Sequence, residues 1–210
     1  QSLMETLGVP RIVAPLLLLR GIDCAERAAR FLTPALGHLS DPMLLSDMDK
    51  AVARIAQARA GNEHIQVFGD YDVDGISATA LLIRGLQRYG LEHVSYAMPL
   101  RLAEGYGIRP EHVDAAREQG VNLIITVDNG IAAHEAARRA QALGVDLIIT
   151  DHHSIENGLP PALAVINPKR ETENYPGAHL CGAGIAFKLC TALNGAPNDL
   201  DIAALGTVAD

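Results

Sequence analysis

The chain has 210 residues, 17 basic and 25 acidic, with a formal net charge of -8 at pH 7; 49% of it is hydrophobic and 20% charged. That balance is globular, long enough to bury a full core, and it excludes a disordered segment. It gives no sign of a surface that is basic throughout, although carboxylates gathered around metal ions lower the net charge without saying anything of the working face.

Taken in order, the chain opens on Gln1, which reads as a fragment or a trimmed product. Residues 1–45 read as a helical arm: Leu16 to Leu19, then Ala25, Ala28, Phe31 and Leu32 carry apolar groups at helical spacing, and Pro34 and Pro42 punctuate the exit. The run from Ile12 to Leu19 is broken by Pro15 and closed by Arg20, so it reads as a packed helix and not as a leader. No stretch reaches the roughly 18 apolar residues of a membrane span, and no membrane partner is expected. From Ser46, expected to cap a helix with Asp47 and Asp49 in its first turn, the pattern sharpens into a second domain, 46–210.

In that domain short apolar strands alternate with amphipathic helices. Strands are expected at His64–Gly69, His93–Met98, Asn122–Val127, Asp146–Thr150 and Leu163–Ile166; helices at Ile76–Tyr89, Pro110–Gln119, Ala132–Leu143 and Ile185–Leu193. The alternation predicts an α/β fold, doubly wound, with a mainly parallel sheet and helices on both faces. Gly120-Val-Asn-Leu-Ile-Ile-Thr126 and Gly144-Val-Asp-Leu-Ile-Ile-Thr150 are near copies, so their strands end at matching points.

Those ends carry the chemistry. The first strand runs into Asp70-Tyr-Asp72-Val-Asp74-Gly75, the first copy into Asp128-Asn129-Gly130, and the second into Asp151-His152-His153. The carboxyl edge of a parallel sheet is where such folds place their sites. Carboxylates this close repel one another unless a cation lies among them, and carboxylates with imidazole suit Mn2+ or Mg2+. Two such ions, about 3.5–4 Å apart, activate water and clamp both oxygens of an in-line displacement at phosphorus. An EF-hand fails, because its bidentate Glu would fall where Leu81 stands. The loop with Arg101, Tyr106 and Arg109 suits contact with a phosphate ester, and equally a plain connection. Gly182 and Gly184 open a helix whose N–H groups suit an anion, but Phe187 and the lack of a preceding strand rule out a dinucleotide fingerprint. Cys24, Cys181 and Cys190 are odd in number and contain no Cys-x-x-Cys pair; they point to a reducing, cytoplasmic compartment.

Gly69-Asp-Tyr-Asp-Val-Asp-Gly75, Val127-Asp-Asn-Gly130, Asp151-His152-His153 and Gly206-Thr-Val-Ala-Asp210 resemble, in order, the four motifs of the DHH phosphoesterase superfamily. Glu104-Gly-Tyr-Gly107 and Leu180-Cys-Gly-Ala-Gly184 resemble its RecJ branch, the single-strand-specific 5′-to-3′ DNA exonucleases. The resemblance implies a two-metal hydrolase that releases 5′-mononucleotides in DNA repair and recombination. By position it implies Asp72 on one ion, Asp74 on the other and Asp128 bridging, with His152 and Asp210 completing the second ion's shell. Asp70 would support the first ion, His153 would lie near the scissile phosphate as a catalytic group with Asp128, and Asp151 would orient the histidine pair. Much of the superfamily has a histidine where Phe68 stands. Residues 46–210 would then be the DHH catalytic domain of a monomer, with substrate-binding and oligonucleotide-binding domains beyond it. Its partners would be single-stranded DNA, a single-strand-binding protein and a helicase. The alternatives are a phosphodiesterase of the same core acting on short oligoribonucleotides or cyclic dinucleotides, and a replication scaffold without activity.

Overall fold

The computed structural model describes residues 8–99, 105–171, 175–177 and 179–210. The chain divides into two compact units, Gln1–Ser40 and Asp41–Asp210. In the first, α1 (Val13–Leu19) and α2 (Ala25–Leu32) enclose a small cluster of Leu17, Ile22 and Ala28. Among the described residues no helix is long and apolar enough to cross a membrane.

The second unit follows the order α3 (Met48–Ala60), β1 (Ile65–Phe68), α4 (Val73–Arg88), β2 (Val94–Ala97), α5 (Pro110–Glu118), β3 (Leu123–Val127), α6 (His134–Leu143), β4 (Asp146–Thr150), β5 (Ala164–Ile166), α7 (Gly182–Asn194) and α8 (Leu200–Ala209). The five strands form one parallel sheet in the order β2-β1-β3-β4-β5. Strand side chains alternate between two apolar layers. Ile65, Val67, Leu123, Ile125, Val127 and Ile148 pack with α3, α4, α7 and α8. Phe68, Ile124, Leu147, Ile149 and Val165 pack with α5 and α6. Burial on both sides is what makes these strands read as continuous apolar runs. Parallel crossovers are right-handed, so stepping from β1 out to β2 puts α4 on one face, and stepping back through β3 to β4 puts α5 and α6 on the other. The direction reverses between β1 and β3. At that reversal the loops leave on opposite faces and open a crevice at the strands' carboxyl ends.

The start of α3 differs from the sequence expectation. Its N-cap is Asp47 in the left-handed region (φ 62°), not Ser46, and the Asp47 side chain does not cap the helix. The carboxylate turns to β5 instead, accepting from the Val165 N–H at 3.2 Å, Arg170 at 2.9 Å and Lys50 at 2.6 Å. Burial raises its pKa, but these three donors outweigh it and hold it below the usual carboxylate range.

Candidate metal centre

β1 delivers Asp70, 3% exposed, to the crevice. α4 starts at Val73, ahead of the Ile76 start that the sequence suggested, because Asp72 is its N-cap and accepts the Gly75 N–H at 2.8 Å. Asp74 therefore lies in the first helical turn. Gly75 is required by close approach: a Cβ there would stand 2.6 Å from Asp70 Cβ and 2.7 Å from its carbonyl oxygen. Asp74 reaches across to the start of α7, where its two oxygens accept the N–H groups of Gly182 at 2.6 Å and Ala183 at 2.8 Å. The anion seated on this helix terminus is thus the protein's own carboxylate. The Gly184 N–H faces Cys181 Sγ at 3.4 Å.

β3 ends by turning Asp128 into the left-handed region (φ 62°), a conformation Asp tolerates better than most residues. The turn is tied on both sides: the Asp128 N–H donates to Thr150 O at 3.0 Å, and Asn129 Nδ2 donates to Phe68 O and Val127 O at 3.2 and 2.9 Å. β4 ends in Asp151, whose Oδ2 accepts the Ile131 N–H at 2.8 Å. Its Oδ1 accepts from the His153 backbone at 3.0 Å and from His153 Nδ1 at 2.7 Å. Asp151 thus holds His153. His152 turns instead toward the carboxylates, with Nε2 at 3.0 Å from Asp128 Oδ1 and 3.8 Å from Asp74 Oδ2, and Nδ1 at 3.9 Å from Asp210 Oδ2.

Among the described residues, three sets of donors each hold their atoms within 4.8 Å of one another: Asp70 with Asp72 and Asp128; Asp74 with His152 and Asp210; and Asp128 with both histidines. Asp128 belongs to two of them. Four of the donors, Asp70, Asp74, Asp128 and His152, are 9% exposed or less. Asp128 Oδ1 is buried and meets no partner in hydrogen-bond geometry, His152 Nε2 at 3.0 Å included. Such a set fits hard divalent cations, whose charge offsets the burial. Without an ion, burial pushes the Asp128 carboxyl up to about 6; its contact with His152 lowers it and the charge of Asp74 raises it. His152 is raised from its ordinary value, chiefly by Asp128, against the opposing effect of burial. His153 is raised chiefly by Asp151.

The sequence put Tyr106 in a loop suited to a phosphate ester and Asn129 in a strand-end motif, but gave neither a role at the site. The Tyr106 hydroxyl donates to Asp128 O at 2.8 Å and lies 3.0 Å from His153 Nδ1, with the rings edge to face. Burial first, then the charges of Asp151 and Asp128, raise its pKa and keep it protonated. Beside it is a cavity of about 470 Å3, lined by Tyr106, Ile108, Ile131, His134, His153 and Asn157. The signal for Tyr106 was its place between Gly105 and Gly107, both at positive φ (77° and 80°). Arg109 opens α5 exposed, its N–H donating to His112 Nδ1 at 3.0 Å. Arg101 lies outside the described residues. Phe68 is 1% exposed, packed among the apolar groups of the α5 and α6 layer with its ring 4.8 Å from that of His112.

Residues 64–209 match the DHH family, N-terminal domain. The chain belongs to the DHH family. A relative from Bacillus subtilis (strain 168), a single-stranded-DNA-specific exonuclease RecJ, is 43% identical over 212 residues, covering 100% of this chain and 27% of the relative. The structure of exonuclease RecJ bound to manganese superposes with a TM-score of 0.72 at 38% identity, over 79% of this chain and 43% of that one. RecJ from Thermus thermophilus in complex with Mn2+ superposes with a TM-score of 0.78 at 33% identity, over 99% of this chain and 30% of that one. This DHH chain therefore spans well under half the length of the curated relatives it matches.

Proposed function

We propose that this chain is the metal-bearing part of a hydrolase, a Mn2+- or Mg2+-dependent exodeoxyribonuclease that degrades single-stranded DNA from 5′ to 3′ and releases 5′-mononucleotides in DNA repair and recombination. The observation that carries the reading is the meeting of three donor sets on Asp128 and His152 at the reversal of strand order. Asp70, Asp72 and Asp128 would hold one ion, and Asp74, Asp128, His152 and Asp210 the other. When bound, the ions supply Lewis acidity to the phosphodiester and to the attacking water. His153, held through Nδ1 by Asp151, has its other ring nitrogen free to donate to the negative charge that develops at the phosphate. The relatives' single-strand specificity and the manganese in the solved structures support the substrate and the cofactor. The reading extends to a cytoplasmic monomer working beside a single-strand-binding protein and a helicase; the free state of Cys24, Cys181 and Cys190 suits that compartment.

The test separates binding from chemistry. Manganese titrated calorimetrically into the chain should bind with a stoichiometry approaching two, and Asp128→Asn should lose both ions. His153→Ala should keep its manganese while hydrolysis of 5′-labelled single-stranded DNA falls by roughly 100-fold or more, the size typical of losing one charge-stabilising donor. Hydrolysis of short oligoribonucleotides in preference to DNA would move the reading to the smaller substrate.

A further inference from the structure

α8 carries Asp210 at its end; its fully buried residues, Ala203 and Gly206, are small, with Ile202 partly buried against the core beside them. Ala203 is 5% exposed and Gly206 is buried, whereas Leu205 and Val208 are 59% and 87% exposed. Leu205 and Val208 thus face outward, and the fully buried contact of the helix is made through an alanine and a glycine. At Gly206 there is no room for more. A Cβ there would overlap Ala183 Cβ on α7 and stand 2.8 Å from Asp74 Oδ1 and 3.3 Å from Ser77 Cβ on α4. Gly206 is therefore pressed against the carboxylate of Asp74, on the oxygen that accepts the Ala183 N–H. Asp210 follows four residues later, on the same side of the helix, and its N–H donates to Gly206 O at 3.1 Å. The closeness of α8 at Gly206 sets how far Asp210 reaches, and Asp210 Oδ2 lies 3.9 Å from His152 Nδ1.

We infer that Gly206 is a positioning residue for the second ion: its missing side chain lets α8 seat Asp210 beside His152 and leaves Asp74 undisplaced. This rests on the metal-centre reading above. Gly206 touches neither substrate nor ion, and its effect passes through Asp210 and Asp74. A methyl group at this position would move the helix outward or push Asp74 off its α7 donors; either way the second donor set opens while Asp70, Asp72 and Asp128 keep theirs.

The experiment is a double-mutant cycle read by manganese calorimetry on the chain, with Gly206→Ala, Asp210→Asn and both together. Gly206→Ala should keep one ion at parental affinity and weaken the second by about 10–100-fold, as for other residues that orient ligands from behind. The double variant should lose less than the sum of the two single losses, because both changes act on the one donor set of Asp74, His152 and Asp210. If Gly206→Ala fails to fold, the swapped pair Gly206→Ala with Ala183→Gly removes the overlap with α7 and keeps the contact with Asp74; it should fold and still bind the second ion weakly. Parental affinity for both ions in a folded Gly206→Ala or in the swapped pair would overturn the assignment, as would losses that simply add in the double variant. A parent that binds no manganese would sink the metal-centre reading itself.

Discussion

Asp128 combines three roles that pull against one another. It is 2% exposed, its backbone is in the left-handed region, and it belongs to two of the donor sets, so the protein holds a buried carboxylate where burial disfavours its charge. The pH dependence of ion binding follows. An ion needs Asp128 ionised and His152 neutral; in the metal-free chain Asp128 titrates at about 6, and His152 above its ordinary 6.5. Both groups bind protons more readily than their ordinary values would give, so protons compete with the ion at higher pH than an unperturbed site would allow. Manganese affinity should begin to fall as the pH drops through the raised His152 value, and fall more steeply through about 6. Calorimetry from pH 8 to pH 5.5 reads this directly. A flat profile over that range would count against both residues as ligands.

At the scale of elements, the strands and most helices were legible because parallel strands buried on both faces leave apolar runs, and the acidic words fall where those runs stop. The two copied strands end one residue out of step: Val127 pairs with Thr150, whereas Thr126, the equivalent of Thr150, pairs with Ile149. Less legible was anything that depends on long-range packing. The start of α4 at Val73 came from the side chain of Asp72 acting as a cap, and the donors at the α7 terminus were taken by Asp74, 108 residues away in the chain. Asn129 was invisible for the same reason, since the bond from its Nδ2 to Phe68 O bridges β1 and β3 across 61 residues. That bridge fastens the two strands at the point where the sheet order reverses. Asn129→Ala would leave two buried carbonyl oxygens without this donor, and unfolding by urea should show a loss of about 2–4 kcal/mol. Because the loop that carries Asp128 would loosen, manganese affinity should fall in the same variant. Lost stability with unchanged affinity would make Asn129 a strand clip with no bearing on the metal.

In the whole molecule, the strand order decides where three distant motifs meet. The β1-β3-β4 run within the order β2-β1-β3-β4-β5 makes the strands that end in Asp70, Asp128 and Asp151 neighbours, and the sequence showed the alternation of elements but not that order. Asp210 then closes the site from the end of α8, so among the described residues every candidate ligand belongs to the unit Asp41–Asp210 and none to Gln1–Ser40. Ion binding should therefore stabilise one unit selectively. A ligand that binds only the folded state adds about 2.7 kcal/mol at 100 times its dissociation constant, and that energy belongs to the unit whose unfolding releases the ion. Amide hydrogen exchange with and without saturating manganese should show slower exchange in β1, β3, β4, α8 and the start of α4, with α1 and α2 unchanged. Equal protection of α1 and α2 would mean that the two units open together, and the site would then stabilise the chain as one cooperative body.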